Sequence, residues 1–286
     1  MLLTLDVGNT HTVIGVFDVA DGTQRSSPAG RRVAGEFADL RYHWRIATVA
    51  DRTADEHALL LVEYLRLVGV DIRADELPKQ LSGMAISSSV PSATSALREM
   101  AQRWFPIPTV VIEPGVRTGM PILYDNPKEV GADRIANAVG ALDLFEAPLI
   151  VVDLGTATTF DVISAAGEYL GGAITPGIEI STDALFSAAA ALRRVELIEP
   201  RHVIGKSTVE SIQSGVIYGY AALVDGLCRR IKEELGEATV VATGGLATVI
   251  RPLAREIDHH EPWLTLHGLR LVFQRNADRS GTARDP

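Results

Sequence analysis

With 286 residues, a net charge of −9 and a single cysteine, Cys228, the chain is longer than one average domain and suits two of about 140 residues each. The acidic balance excludes a nucleic-acid binder, which needs a basic face to meet phosphate oxygens, and the lone thiol excludes an internal disulfide and a multi-cysteine metal site. A hydrophobic fraction of 47% against 22% charged residues is that of a soluble globular protein, and with no disulfide framework the reducing cytoplasm is the expected compartment.

The N-terminal run Met1 to Leu5 is stopped at once by Asp6; it reads as a strand and is far too short for the apolar core of a signal peptide. Charges interrupt every other apolar stretch before the ~20 residues that a membrane span requires. Leu2 to Val7 and Thr12 to Asp18, separated by Gly8-Asn9-Thr10, form the pattern of a hairpin. Residues 19–39, rich in Gly, Ser, Ala and Arg, predict a flexible surface loop, and Tyr42 to Thr48 a third strand. Thr53 caps a helix to about Gly69. Gly83 to Ser87 is a short buried strand, Pro91 opens a helix to about Trp104, Thr109 to Ile112 is another strand, and a helix from Ala132 to Phe145 closes the first half.

The second half repeats the scheme. Leu149 to Asp153, Thr158 to Ile163 and Glu168 to Ala173 are strands, and helices follow over about 177–191 and 207–235. Val240 to Ala242 is a buried strand, Gly244-Gly245 opens a helix, and Leu264 to Leu266 precedes a final helix to about Asn276. The period is too long for a solenoid and predicts a duplicated α/β domain, divided as residues 1–146 and 147–276, with a disordered tail over 277–286.

The repeat is sharpest at Asp6-Val7-Gly8-Asn9-Thr10 and Asp153-Leu154-Gly155-Thr156-Ala157-Thr158, each ending the first strand of its half. Glycine lets backbone come close to a phosphate, and successive N–H groups in such a turn make an anion-binding concavity. The hydroxyls of Thr10, Thr12, Thr156 and Thr158 can donate to phosphate oxygens. Asp6 and Asp153 beside an anion make sense only with intervening cations, of which magnesium held partly through water is one. One Asp-x-Gly-x-Thr is ordinary turn chemistry; two copies at equivalent places are a signal. Gly244-Gly245, ending a buried strand, offers a flat surface for adenine or ribose.

Between the hairpins, Gly131 and Ala132 start a helix with Asp133 and Arg134 in its first turn. An aspartate there complements the helix dipole, whereas an arginine at the positive end calls for an anion. The pair suggests a base and an anion clamp facing an interdomain cleft.

The segment Asn126-Pro127-Lys128-Glu129-Val130-Gly131-Ala132-Asp133-Arg134, the two hairpins, Gly171-Gly172-Ala173-Ile174-Thr175-Pro176-Gly177 and Gly205-Lys206-Ser207-Thr208 resemble those of type III pantothenate kinase, over Met1 to about Asn276. The resemblance implies two ribonuclease-H-like domains of the acetate and sugar kinase/actin superfamily with an active-site cleft between them. It implies transfer of the ATP γ-phosphoryl group to the primary hydroxyl of pantothenate, the first step of coenzyme A synthesis, by a cytoplasmic homodimer. Asp133 matches the general base. Asp6, Val7, Gly8, Asn9, Thr10, His11, Thr12 and Val13 match the ATP hairpin, and Thr156 a further ATP contact. Asp153 matches a ligand of potassium or ammonium. Tyr124, Gly131, Ala132, Asp133, Arg134 and Thr208 match substrate-binding positions. The competing reading from another class is a nucleotide-binding regulatory paralogue that has lost turnover; loss of Asp133 or a broken hairpin would favour it, and both are intact.

Other features have plainer readings. Gly215 and Gly219 form a small-residue stripe suited to close helix packing, within the subunit or across a dimer. His259-His260 is expected in a solvated loop rather than on a metal, and Cys228 in a core.

Overall fold

The computed structural model describes residues 1–18, 37, 39–71, 73, 76–189 and 192–277. The loop expected over 19–39 falls outside these residues except for Phe37 and Asp39. So does the expected tail, except for Ala277, which ends a helix.

Two five-stranded sheets carry the chain. In the first, β1 (Leu2–Val7), β2 (His11–Phe17) and β3 (Leu40–Ala47) form an antiparallel meander, and β4 (Gly83–Ser88) and β5 (Thr109–Val111) add in parallel on the other side, in the order β3-β2-β1-β4-β5. The second repeats this topology with β6 (Leu149–Leu154), β7 (Ala157–Ile163), β8 (Tyr169–Pro176), β9 (Thr239–Thr243) and β10 (His259–His260), in the order β10-β9-β6-β7-β8. Even the register irregularities coincide, at Val16/Phe17 and at Val162/Ile163. The α/β class and the duplicated sheet follow the sequence reading.

The central strands are buried on both faces, as strands with parallel neighbours under covering helices must be. Leu3, Leu5 and Val7 of β1 join one core with helices α1 (Ala54–Leu67) and α3 (Pro91–Trp104). The two-residue period turns Leu2, Thr4 and Asp6 to the opposite face. Helix α1 begins where Thr53 and Glu56 close a reciprocal capping box, satisfying two otherwise unpaired donors. Pro91, whose missing N–H costs nothing at a first turn, starts α3. Between them lies a single turn, α2 (Leu77–Gln80).

The chain forms two compact units: Met1–Gly119, Asp125–Gly140 and the chain from Trp263 onward, against Met120–Tyr124 with Ala141–Pro262. This division differs from a cut at residue 146. Leu264 to Leu266 do not precede the last helix but form its first turn, and that helix, α8 (Leu264–Ala277) after α4 (Ala132–Leu144), packs on β1 and β4 of the first sheet. Its docking depends on Gly268, where an added Cβ would stand 1.8 Å from the Ala136 carbonyl oxygen of α4. A hydrogen bond of 2.7 Å from the Thr265 hydroxyl to Oδ1 of buried Asn137 joins the same two helices.

In the second unit, α5 (Ile178–Ala188), the 28-residue α6 (Thr208–Leu235) and the short α7 (Ala247–Ile250) complete the fold. Ile150, Val152 and Leu154 share a core with Val224 and Cys228 of α6 and with Ala247 and Ile250 of α7. Burial pushes the Cys228 thiol up to about 12, so the core reading of this residue holds. His259 and His260 are not in a solvated loop; they are half-buried and pair with Val241 and Ala242 at the sheet edge. Among the described residues no three His, Cys, Asp or Glu side chains gather as a metal cage, and no helix is long and apolar enough to cross a membrane.

Gly268→Ala is expected to destabilise the protein by about 3 kcal/mol, because backbone rather than a flexible side chain blocks the new methyl; the urea midpoint measures it. His57, buried in α1, is held neutral by desolvation and by Arg52, with its pKa lowered to about 4. The unfolded chain therefore binds more protons between its ordinary value of 6.5 and about 4, and stability falls as pH drops through that window. In His57→Leu the fall is expected to be shallower, read from urea midpoints at pH 7 and pH 4.5.

Candidate functional site

Each expected phosphate hairpin lies at the end of a central strand. In the first unit, β1 and β2 are joined through Gly8-Asn9-Thr10, and the Gly8 N–H donates to the His11 carbonyl at 3.0 Å. Asp6 is half-buried, Val7 buried, and Asn9, Thr10 and His11 exposed. The chain around residue 48 braces the turn: the Thr48 N–H donates to the Thr10 carbonyl at 2.9 Å, and the Thr12 and Thr48 hydroxyls lie 2.8 Å apart. Thr12 is thus buried against Thr48, whereas Thr10 is exposed. Val13 pairs with Asp6 across the hairpin.

The helix α4 starts with Ala132, as its sequence suggests, and Asp133 and Arg134 lie in its first turn. The Asp133 carboxylate is held at both oxygens. Its Oδ1 accepts the Arg134 backbone N–H at 2.8 Å and its Oδ2 accepts the Ser89 hydroxyl at 3.1 Å. Gly131 leaves room for this pose, since an added Cβ would fall 2.5 Å from Oδ1. The Arg134 side chain is 8% exposed, and a guanidinium so far from water needs anionic or carbonyl partners.

Ser89 is absent from the sequence-derived set. The Ser89 N–H donates to the Val7 carbonyl at 2.9 Å, one step beyond the pairing of Val7 with Ser88. Its backbone is thereby tied to the strand carrying Asp6 while its hydroxyl reaches Asp133. The only local signal was a run of serines at the end of a buried strand, which sequence alone cannot connect to a helix 44 residues further on.

In the second unit, Asp153 is half-buried at the end of β6 and Thr156 lies in the turn that follows, where the Thr156 carbonyl accepts the Gly177 N–H at 3.1 Å. Thr158 is fully buried, so its hydroxyl, like that of Thr12, faces inward rather than toward a phosphate. Gly244 has φ +91°, and an added Cβ would stand 2.5 Å from Asp153 Oδ1. The glycine expected to receive adenosine is thus required here by the carboxylate and by the backbone of Leu154.

Tyr124 and Thr208 complete the set. The strip before Tyr124 runs along Tyr169: the Leu123 N–H donates to the Tyr169 carbonyl and the Tyr169 N–H to the Pro121 carbonyl, both at 2.8 Å. The two rings lie 6.4 Å apart. Tyr169 is itself fixed by its hydroxyl, which donates to buried Asp161 at 2.7 Å. Thr208 is the first residue of α6 after the Ser207 cap and lines a cavity of about 460 Å³ with Ser181, Thr182, Ser211 and Tyr220.

The sequence pattern of the type III pantothenate kinase family matches residues 2–230. A type III pantothenate kinase of Streptomyces avermitilis is 53% identical over 286 residues, covering 98% of this chain and all of the relative. Among solved structures, a Campylobacter jejuni chain assigned to the Baf family of transcriptional activators aligns with TM-score 0.53 at 16% identity, covering 97% of this chain and 99% of that one. An inorganic polyphosphate/ATP-glucomannokinase of Arthrobacter sp. strain KM aligns with TM-score 0.50 at 15% identity, over 97% and 98%. These two are likenesses of fold alone. A match spanning most of the chain and an identity above half over nearly its whole length establish that this chain belongs to the type III pantothenate kinase family.

Proposed function

We propose that the protein transfers the γ-phosphoryl group of ATP to the primary hydroxyl of pantothenate, the opening step of coenzyme A synthesis. The observation that carries this reading is the Asp133 carboxylate in the first turn of α4, fixed at Oδ1 by the Arg134 N–H and at Oδ2 by a serine that is tied to the strand of the Asp6 hairpin.

Phosphoryl transfer through a loose transition state asks the protein mainly for positioning and charge neutralisation. The hydroxyl oxygen of pantothenate forms the new bond to the γ-phosphorus, the bond to the β,γ-bridging oxygen breaks, and ADP leaves. Asp133 orients that hydroxyl and accepts its proton, for which it need not be strongly basic. Arg134 supplies positive charge to an anion, the carboxylate of pantothenate or the transferring phosphoryl group. Tyr124, Gly131, Ala132 and Thr208 line the substrate.

The turn of the Asp6–Val13 hairpin and Thr156 receive the nucleotide phosphates. Asp6, a hard oxygen ligand half open to solvent, suits a magnesium ion that arrives with the nucleotide and keeps several waters. That ion supplies charge neutralisation on the phosphate oxygens. Asp153 is the ligand we assign to a monovalent cation, potassium or ammonium; its carboxylate lies against Gly244, with no side chain between it and that backbone.

We further assign a cytoplasmic homodimer. The second unit exposes Ile180, Leu185, Val203, Ile204 and Val209, apolar side chains of the kind that a partner surface would cover. Gly215 and Gly219 lie exposed on α6, and beyond the backbone of their own helix no described residue comes within 4 Å of an added Cβ, which suits close approach by a second copy.

ADP release with ATP, magnesium and pantothenate in potassium tests the reaction. Asp133→Asn is expected to lower kcat by about 10²–10⁴-fold, the usual worth of a positioned base, with the KM for ATP little changed. Turnover without pantothenate dependence would reject pantothenate as the acceptor, and none from a folded protein that binds ATP would reject the kinase reading and favour the regulatory one. Asp153→Ala is expected to abolish the advantage of potassium over sodium, so that the rate in potassium falls to the sodium level; an advantage that persists would remove Asp153 as the ligand.

A further inference from the structure

A carboxylate that takes a proton from an alcohol works only if one of its lone pairs points at that alcohol. Asp133 is exposed to two competing influences at the start of α4: free rotation about its own side chain, and the unpaired N–H groups of the helix terminus, which attract any nearby anion. The Arg134 N–H takes Oδ1 at 2.8 Å. Left with that contact alone, the carboxylate could still swing its second oxygen about the first. The Ser89 hydroxyl, donating to Oδ2 at 3.1 Å, removes that freedom.

Ser89 is itself held with little latitude. Its N–H bonds the Val7 carbonyl at 2.9 Å. The preceding Ser88 hydroxyl is engaged in the local turn, donating to the Val90 carbonyl at 3.1 Å while accepting the Val90 N–H at 3.2 Å. Val90 precedes Pro91 and is extended, with φ −116° and ψ 103°, the region that a following proline imposes. Two of the three serines at the end of β4 are thus accounted for, one by the turn and one by Asp133. The third, Ser87, is fully buried beside Asp6 in the strand register.

We infer that Ser89 is a positioning residue for phosphoryl transfer: its hydroxyl aims the Asp133 carboxylate, and its backbone keeps that aim in register with the strand bearing the Asp6 hairpin. This rests on the proposed role of Asp133 as the base. It does not require Ser89 to touch substrate, and so it distinguishes Ser89 from the residues that bind pantothenate. A serine acting through the carboxylate should change the rate of the chemical step and leave both Michaelis constants alone, whereas a substrate ligand should raise the KM for pantothenate.

The test is steady-state kinetics of the full chain with ATP, magnesium, potassium and pantothenate for Ser89→Ala, Ser89→Thr and Asp133→Asn, with thermal melting of each. Ser89→Ala is expected to lower kcat about tenfold, the scale of one hydrogen bond to a charged group, with both KM values within twofold and the melting temperature within a few degrees of the parent. Ser89→Thr, which keeps the hydroxyl, is expected to recover most of kcat. If Ser89→Ala does not fold, Ser89→Cys, of similar size with a weak donor, is read in the same way and expected to show the same loss. An unchanged kcat, a rise confined to the KM for pantothenate, or a loss that threonine does not repair overturns the inference. Asp133→Asn separates the two failures. Loss in Asp133→Asn with full activity in Ser89→Ala overturns the positioning role alone, and full activity in Asp133→Asn overturns the base and its positioning residue together.

Discussion

The first unit depends on β1 being hydrogen-bonded along both edges, antiparallel to β2 and parallel to β4. With partners on both sides its register cannot slip, because a shift of one residue would turn Leu3, Leu5 and Val7 out of their core and drive Asp6 into it. The strand therefore delivers Asp6 and the following turn to one edge of the sheet at a fixed height. The same ladder, extended by the Ser89 N–H to the Val7 carbonyl, delivers the serine that meets Asp133. Hairpin and carboxylate are thus referenced to one strand.

A second support comes from α8. Its glycine at 268 lets it approach α4 closely enough that only backbone separates the two, and the Thr265–Asn137 hydrogen bond secures their rotation. Since Asp133 and Arg134 sit one turn before Ala136 and Asn137, a helix from the far end of the sequence sets the start of the helix that presents them. The charges at this place are held by packed helices and hydrogen bonds. For the phosphoryl transfer proposed above, these groups are positioned during folding rather than at each turnover.

The second unit reuses the layout with different neighbours. Its sheet has the same order and the same irregularity, and Asp153 takes the position of Asp6. The strand beside β6 on its parallel side, β9, ends at Thr243 and is followed by Gly244, where the first unit has serines at 87 and 88. The glycine admits the carboxylate of Asp153 against the backbone, whereas the serines carry hydroxyls at the matching edge. One duplicated frame thereby presents two aspartates in different surroundings.

Much of this was legible in local sequence. The Asp-led hairpins follow from apolar strands broken by glycine, α1 from the Thr53 cap, α3 from Pro91, and the Asp133-Arg134 turn from the Gly131-Ala132 start, because turn chemistry and capping are fixed within a few residues. Family resemblance rests on those same short segments. What neighbouring residues do not encode was decided by the tertiary structure. The pairing of His259-His260 with β9, the inward burial of Thr12 and Thr158, the packing of α8 on the first sheet and the contact of Ser89 with Asp133 all join positions far apart in the chain. Their partners are selected by which apolar faces must be covered and which polar groups must be satisfied once the sheets have formed, and those demands exist only in three dimensions.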